Sequence, residues 1–259
     1  MSLTMYQVDA FADRVFTGNP AAVCPLTEWL PDDTMLRIAD ENNLSETAFF
    51  VAEQSGYRLR WFTPEEEVDL CGHATLATAH VLFEQIGLQQ EQITFYTRSG
   101  DLVVTKADAG YQMDFPATMP EAVVAPEQLV EALMVTPEQI LAAYDYVVVL
   151  PSEQALSELT PDFTLLSKLD LRGVLVTAPG DEVDFVSRCF FPKLRIDEDP
   201  VTGSAHCELA PYWSRRLGKS KLIAKQLSKR TGLVTCEVVG ERVFLTGSAV
   251  DYMQGTIFL

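Results

Sequence analysis

Two short glycine-centred segments of the chain carry residue types that suit proton transfer or anion binding. Residues 69–75 read Asp-Leu-Cys-Gly-His-Ala-Thr, and residues 199–205 read Asp-Pro-Val-Thr-Gly-Ser-Ala. Aligned on Gly72 and Gly203, both segments carry alanine two places and again seven places after the glycine. Each opens a stretch that is typical of a helix, and the free N–H groups of a helix start bind anions. If the two helix starts face each other, we expect them to hold an anion between them.

A carboxylate and an imidazole are the first candidates for acid–base work. Glu46 stands directly before an apolar run, residues 47–52, that predicts a strand. Partial desolvation at that place would make Glu46 a better proton acceptor near neutral pH. His73 lies in the first turn of the first helix, where the helix dipole favours a neutral imidazole that donates a hydrogen bond or relays a proton. The ordinary interpretations are a solvated loop acid or cap and a surface histidine.

Asp199 and Ser204 bracket the second glycine and offer a carboxylate and a hydroxyl. Taken alone, Asp199 is equally a helix cap, and Ser204 is equally a solvated first-turn hydroxyl. Gly72 and Gly203 let the backbone approach a ligand closely, although tight packing at a helix start would also favour glycine. The correspondence between this segment and the one that carries His73 favours a functional role.

Metal and nucleotide chemistry find no support in the sequence. His73 and His80 are seven residues apart. A helix rises about 1.5 Å per residue, so they lie roughly 10.5 Å apart along it, too far to share one metal ion. The chain has only three histidines and no C-x-x-C pair, which argues against a zinc site. It has neither G-x-G-x-x-G nor a P-loop, so we expect no nucleotide cofactor.

Composition limits the partners. The chain has 259 residues, of which 47% are hydrophobic, so it can form a full core. A net charge of −18 repels nucleic acid and anionic lipid, and we expect neither as a partner. A small anionic substrate stays possible, because a local nest of N–H groups can outweigh the distant average charge.

Cysteine usage and the chain start predict a cytoplasmic protein. The five cysteines are scattered and odd in number, which fits reduced thiols. The first residues show no basic region followed by an apolar one, so we expect no signal peptide. No uncharged apolar run approaches the length of a membrane span.

The elements that must position these residues predict an α+β fold. Helices are predicted at residues 31–43, 72–86, 127–134, 137–143, 153–159 and 203–217. Strands are predicted at residues 4–11, 20–26, 47–52, 57–63, 93–97, 102–106, 111–115, 146–150, 173–178, 183–190, 233–239, 242–245 and 251–259. Residues 116–126 carry three prolines and little charge, and mark a boundary between two halves. Each half is expected to wrap a sheet rich in antiparallel strands around one main helix.

Several motifs in order along the whole chain carry a family resemblance. They are Asp9-Ala-Phe with residues 16–23, then residues 43–49, 71–75 and 199–206, followed by residues 226–232 and 243–250. On these motifs the chain resembles the PhzF-like family of phenazine biosynthesis, within the diaminopimelate epimerase-like superfamily. The resemblance implies two pseudo-symmetric halves, each a mostly antiparallel sheet around a central helix, with the site in the cleft between them. The first half is residues 1–116 with a returning strand near 252–259, and the second is residues 117–251.

The resemblance also implies an activity. It implies a cofactor-independent isomerase of a small carboxylate that forms a homodimer. The family's acid–base carboxylate falls on Glu46. The supporting catalytic residues fall on His73, Asp199 and Ser204, and the positions that line the site with His73 and Ser204 fall on Ser45, Gly72 and Gly203.

One departure from the superfamily bears on mechanism. Its epimerases and racemases use two opposed thiols, one before each glycine, and here those positions hold Cys71 and Thr202. We therefore interpret Cys71 as a small apolar filler and Glu46 as a single base that moves a proton from one carbon to another. Two alternatives stay open: an epimerase or racemase that uses Glu46 opposite Cys71 or His73, and a non-catalytic protein that binds a small ligand. A complete acid–base set argues against the second, because a binding protein has little need of a base.

Overall fold

The computed structural model describes residues 2–259, which form two compact units. The first unit comprises the chain up to Asp114 together with Thr246–Leu259, and the second comprises Phe115–Leu245. Both combine strands with a few helices, so the predicted α+β class is confirmed. Among the helices of residues 2–259, none combines the length and apolar character that a membrane span requires.

Strands dominate the described chain. The first nine are β1 (Ser2–Ala10), β2 (Asn19–Leu26), β3 (Glu46–Glu53), β4 (Gly56–Phe62), β5 (Glu67–Val68), β6 (Gln92–Thr97), β7 (Gly100–Ala107), β8 (Gly110–Pro116) and β9 (Glu121–Ala122). The others are β10 (Gln139–Ala142), β11 (Tyr146–Val149), β12 (Val174–Pro179), β13 (Phe185–Phe191), β14 (Ile196–Asp199), β15 (Lys221–Gln226), β16 (Gly232–Val239), β17 (Arg242–Gly247) and β18 (Ala249–Phe258). The helices are α1 (Asp32–Asn42), α2 (Gly72–His80), α3 (Glu127–Leu133), α4 (Glu153–Ser157), α5 (Phe163–Leu166) and α6 (Gly203–Leu217).

In the first unit a mixed sheet surrounds α2. Strand β18 pairs antiparallel with β1 over its whole length, from Ser2 opposite Phe258 to Ala10 opposite Ala249. Strand β1 also pairs antiparallel with β2, while β2 and β3 run parallel and β3 and β4 antiparallel. Helix α2 packs on β1, β2 and β3 and is buried from His73 to His80 on every side, as expected of a central helix.

The second unit repeats this plan with α6. Strands β12 and β13 pair antiparallel, β13 and β15 run parallel, and β15 and β16 pair antiparallel. Helix α6 packs on β15 and β16. A large apolar core lies under the helices α3, α4 and α5, and includes Leu129, Val148, Leu156, Val176 and Phe190.

Each unit has its own arginine–glutamate ion pair, just before the glycine that starts its central helix. Arg60 in β4 binds Glu67 through Nε and Nη2 at 2.7 and 2.6 Å. Arg188 in β13 binds Glu198 in the same two-pronged way at 2.7 and 3.0 Å. Each glutamate lies five positions before the glycine that starts its central helix. A two-pronged guanidinium–carboxylate pair fixes direction as well as distance, so it ties the segment that enters each helix to the sheet.

Most predicted elements are confirmed, and a few are wrong. Helix α6 has the predicted bounds, but residues 137–143 are not helical, since β10 occupies Gln139–Ala142 and pairs with β9 and β11. Residues 139–142 favour a helix by intrinsic propensity, but the segment is short, so its pairing with neighbouring strands overrides that propensity. The predicted helix 72–86 is α-helical only to His80 and continues as a π-helix over Val81–Gln85. Strands β5, β9, β14 and β15 and helix α5 had no prediction.

Candidate functional site

The first unit brings Glu46 and His73 into direct contact. Glu46 is the first residue of β3, and His73 is the second residue of α2. Glu46 Oε2 lies 3.1 Å from His73 Nε2, with 13% and 7% of the two side chains exposed. The two atoms are close enough to form an ion pair but do not meet the geometry of a hydrogen bond, so a proton passes between them only after a small reorientation.

Asn19 and Cys71 flank the other nitrogen of the His73 ring. Asn19 Nδ2 lies 3.3 Å and Cys71 Sγ 3.6 Å from His73 Nδ1. When the imidazole is neutral, donation by the amide leaves the ring proton on Nε2, toward Glu46. When the ring is charged, a turned amide can accept from Nδ1 through its oxygen. Asn19 therefore lies where it can orient the His73 ring.

The loop before β2 places Asn19. Asp9 is buried at the end of β1, and its Oδ2 accepts a hydrogen bond of 2.8 Å from the Phe16 backbone N–H. Gly18 has φ +68°, and a Cβ there would lie 2.2 Å from the Ala10 carbonyl oxygen. Only glycine fits this turn, and Asn19 follows it directly, fully buried.

The prediction that His73 is neutral is wrong in direction. Burial alone lowers the pKa of His73, but the negative charges that Cys71 and Glu46 can carry raise it well above its usual range. Burial, reinforced by the Glu46 charge, raises the pKa of the Cys71 thiol to about 11, so Cys71 is protonated at neutral pH. With Cys71 protonated, the charge of Glu46 remains to favour the imidazolium.

Glu46, Cys71 and His73 also form the group best able to hold a metal ion. Their ligand atoms all lie within 4.8 Å of one another. A metal would have to displace the proton of the buried Cys71 thiol, which burial makes hard to remove. The arrangement suits proton transfer better than metal binding.

In the second unit, the loop before α6 is held by a buried network. Thr202 is the N-cap residue of α6, with an extended backbone and no side-chain capping bond, as Cys71 is for α2. The Thr202 hydroxyl donates to Asp199 Oδ2 at 2.5 Å. Gln226 Oε1 accepts from the Thr202 N–H at 2.9 Å, and Gln226 Nε2 donates to the Asp199 carbonyl at 2.8 Å. Asp199 is thus buried in a hydrogen-bonded loop and is not the capping side chain.

Ser204 lies in the first turn of α6 and contacts an arginine. Arg172 Nη2 donates to Ser204 Oγ at 3.2 Å. Arg172 also binds Asp145, through Nε at 3.1 Å and Nη2 at 2.5 Å. The Asp145 side chain is fully buried, whereas 40% of the Arg172 side chain is exposed. Ser204 therefore adjoins a cation that a buried carboxylate holds in place.

Glu208, one turn further along α6, is a buried carboxyl beside this pair. Its Oε2 lies 3.5 Å from the Asp145 backbone nitrogen, which donates to it. Burial and the Asp145 charge raise the pKa of Glu208 to about 8. Glu208 is therefore protonated at neutral pH and does not compete for the charge of Arg172.

Glu208→Gln is expected to remove a pH dependence of stability. Because the folded pKa is about 8 and the ordinary value is 4.5, the folded state binds more protons between these limits. The free energy of unfolding of the wild type then falls as pH rises through this window, and the variant lacks that fall. Thermal unfolding at pH 5 and pH 8.5 measures this difference in stability. A change of about 1 kcal/mol in the free energy of unfolding shifts the Tm by about 2–4 °C for a chain of this size. Glu241→Gln, at an exposed glutamate of the same unit, is the control, and equal slopes for Glu208→Gln and wild type would contradict the assignment.

The remaining predicted site residues lie at the expected places in the elements. Ser45 is half-buried directly before β3, and Gly72 and Gly203 are the first residues of α2 and α6. No role had been predicted for Asn19, Gln226 or Arg172. Asn19 and Gln226 are polar residues at the ends of apolar strands and lie in the motifs of the resemblance, which was a usable signal. Arg172 had none.

Comparison with known proteins decides the family. A family model described as phenazine biosynthesis-like protein, PhzC-PhzF, matches residues 8–255. The chain belongs to the PhzC-PhzF family. An uncharacterized isomerase of Pseudomonas aeruginosa is 53% identical over 259 residues, with both chains fully covered. The crystal structure of a PhzF family protein from Enterococcus faecalis matches with a TM-score of 0.98 and 52% identity, again over the whole of both chains.

A more distant structural neighbour shows the fold alone. The crystal structure of a hydroxyproline epimerase from Agrobacterium vitis covers 99% of this chain and 92% of its own, with a TM-score of 0.60 and 10% identity. The predicted epimerase-like fold is thereby confirmed. The names of its relatives support an isomerase as the enzyme class.

Proposed function

We propose that this PhzC-PhzF protein is a cofactor-independent isomerase that moves a proton within a small carboxylate substrate. The observation that carries this function is the buried contact of 3.1 Å between Glu46 Oε2 and His73 Nε2. A carboxylate and an imidazole are the side chains that most often serve as acid–base groups, and both are largely shielded from water here, with 13% and 7% of the side chains exposed. The isomerases among the relatives support the reaction class.

Each residue of the set has a role in this reaction. Glu46 removes a proton from a carbon of the substrate and returns it to another carbon of the conjugated system. His73, which its neighbours keep protonated, stabilises negative charge and assists the transfer. Ser204 and the N–H groups at the helix starts bind the substrate carboxylate, and Asp199 orients the substrate. Ser45, Gly72 and Gly203 line the site.

The spacing of the first-unit groups favours one base over two. A two-base epimerase holds its bases on opposite faces of one carbon, each about 3 Å from the proton it handles, so they lie roughly 6 Å or more apart. Glu46, Cys71 and His73 instead lie within 4.8 Å of one another. A carbon cannot fit between Glu46 and either partner, which favours a proton shift on one face.

Cys71→Ser is expected to leave turnover within about threefold of the wild type, because the thiol is protonated and the change is small. The measurement is kcat on the substrate identified below. Thr75→Ser is the control for a small change on the same helix. A loss of 100-fold or more, on the order of a missing acid–base group, would make Cys71 a second acid–base residue and favour the epimerase.

The substrate can be found with Glu46→Gln as bait. A thermal-shift screen of unsaturated ring and chain carboxylates, run on wild type and variant, identifies ligands that stabilise the variant but are converted by the wild type. Conversion in deuterated water, followed by NMR, then separates the mechanisms. A one-base shift returns much of the substrate's own hydrogen, whereas a two-base route incorporates solvent deuterium with inversion. Ligands that bind both proteins equally and are never converted would instead support the binding protein.

We also infer a homodimer from the family resemblance and a cytoplasmic location from the scattered cysteines. Light scattering of the purified chain tests the dimer, for which the expected mass is twice 28.8 kDa. A mass of one chain at micromolar concentration would contradict it.

A further inference from the structure

The Arg172 side chain is fixed by several contacts although 40% of it is exposed. Nε and Nη2 both bind the fully buried Asp145, at 3.1 and 2.5 Å. The Arg172 guanidinium also lies over the Phe191 ring, with its central carbon 5.2 Å from the ring centre. A cation fixed by a buried carboxylate and an aromatic ring has lost most of its side-chain freedom before any ligand arrives.

The loop that leads to Arg172 is also fixed. Lys193 Nζ donates to the carbonyls of Leu169, Asp170 and Leu171 at 2.7, 2.9 and 3.1 Å. The Tyr146 hydroxyl donates to Asp170 Oδ1 at 2.6 Å. These bonds hold the three residues directly before Arg172.

Gly173, directly after Arg172, lets Phe191 pack against the chain. A Cβ at Gly173 would lie 2.2 Å from Phe191 Cδ1. The absence of a side chain at this position therefore allows the ring to reach the place where it supports the guanidinium.

The bonds of Arg172 leave donors unused on one side. A guanidinium has five N–H groups, and Asp145 and Ser204 engage Nε and Nη2. Within residues 2–259, Nη1 donates to no group. Ser204 Oγ accepts from Arg172, so its own hydrogen is free to donate elsewhere. Two kinds of donor, one of them charged, thus lie side by side without an acceptor.

We propose that Arg172 is a substrate-anchoring residue, whose Nη1 edge binds an ionised carboxylate together with the Ser204 hydroxyl. One carboxylate oxygen can accept from Nη1 and the other from the Ser204 hydroxyl, and the positive charge discriminates against an uncharged amide of the same shape. Arg172 therefore restricts the substrate class to free carboxylates. This role rests on the proposed function, because it places the substrate at Ser204.

The competing role for Arg172 is structural, as the counter-ion of Asp145. Both roles predict that Arg172→Gln lowers stability, because it leaves a buried carboxylate unpaired. The double variant Asp145→Asn/Arg172→Gln removes both charges and is expected to stay folded. Arg216 supplies the matched control, since it pairs with Glu138 at 2.9 Å, lies 5.1 Å from the Trp213 ring centre and has 36% of its side chain exposed.

The experiment compares acetate with acetamide, the smallest pair that differs in charge but not in shape. Binding is followed by the NMR shift of the Ser204 amide at constant ionic strength. We expect the wild type and Arg216→Gln to prefer acetate by about tenfold, the worth of one charge-assisted hydrogen bond. Arg172→Gln and the double variant should show no preference. An unchanged preference in the folded double variant, or no preference in the wild type, would overturn the anchoring role.

A second measurement separates this anchor from the isomerase activity. If the acetate preference depends on Arg172 but the wild type converts no carboxylate, the anchor stands and the proposed function fails. If a substrate is converted, Arg172→Gln should raise KM by about 10- to 100-fold while changing kcat less. A variant that loses kcat alone, with KM unchanged, would contradict the anchor but not the isomerase.

Discussion

Glu46→Gln is expected to lower turnover by about 10²- to 10⁴-fold while leaving ligand binding nearly intact. Glutamine keeps the size of the side chain and its position at the start of β3 but cannot accept the proton. His73 lies 3.1 Å from Glu46 Oε2, and loss of the Glu46 charge lowers the pKa of His73, so His73 is the base that would account for any residual turnover. The measurement is kcat on an identified substrate, together with the dissociation constant of that substrate from a thermal titration.

Glu66→Gln is the matched control, since Glu66 is an exposed glutamate of the same unit. Its turnover should equal that of the wild type, which excludes a general effect of the lost charge on so acidic a chain. Full activity of Glu46→Gln would remove Glu46 from the mechanism. Loss of binding together with turnover would assign Glu46 to substrate recognition.

Trp213→Ala is expected to lower the free energy of unfolding by about 3–5 kcal/mol, the range for a buried tryptophan. Trp213 lies in α6 with none of its surface exposed. Its ring stacks on Phe185 at a centroid distance of 5.7 Å and an angle of 5°, and its Nε1 donates to Thr177 Oγ1 at 2.9 Å. The alanine variant loses the ring contacts and the hydrogen bond together and leaves a cavity between α6 and the sheet.

Trp213→Phe separates these contributions. Phenylalanine keeps the stack on Phe185 and loses only the indole N–H donor and part of the ring volume. We therefore expect the free energy of unfolding to fall by about 1–2 kcal/mol. Urea unfolding followed by circular dichroism measures both variants. An alanine variant that loses less than 1 kcal/mol, below the usual range for any core truncation, would show that α6 does not depend on this contact.

Sequence patterns predicted the elements that carry local signals. Helix α6 ends at Leu217 and is followed by Gly218 in the left-handed conformation, and α1 ends before Asn43 in the same conformation, as glycine and asparagine at helix ends predict. The place of Glu46 at the start of a strand and of His73 at the start of a helix also followed from local pattern. These predictions succeeded because the deciding residues are close together in the chain.

Features that depend on distant residues could not be predicted. The protonation of His73 depends on Glu46, 27 positions earlier, and the pairing of β10 depends on β9 and β11. Asp145 and Arg172 are likewise 27 positions apart, and neither lies in a recognisable motif. Only the sheet brings such pairs together, so propensity and periodicity carry no information about them.

The pairing of β18 with β1 has a consequence for synthesis on the ribosome. The first unit needs Ala249–Phe258 to complete its sheet against Ser2–Ala10, so it cannot finish until residues 249–258 have emerged. The second unit is one continuous segment and can fold while the ribosome still holds residues 249–258. Strand β1 therefore waits with an unpaired edge during translation, which is the interval when such an edge is most open to wrong pairing. Truncations that remove only the final strand should leave the second unit folded and expose the first to chaperones and proteases.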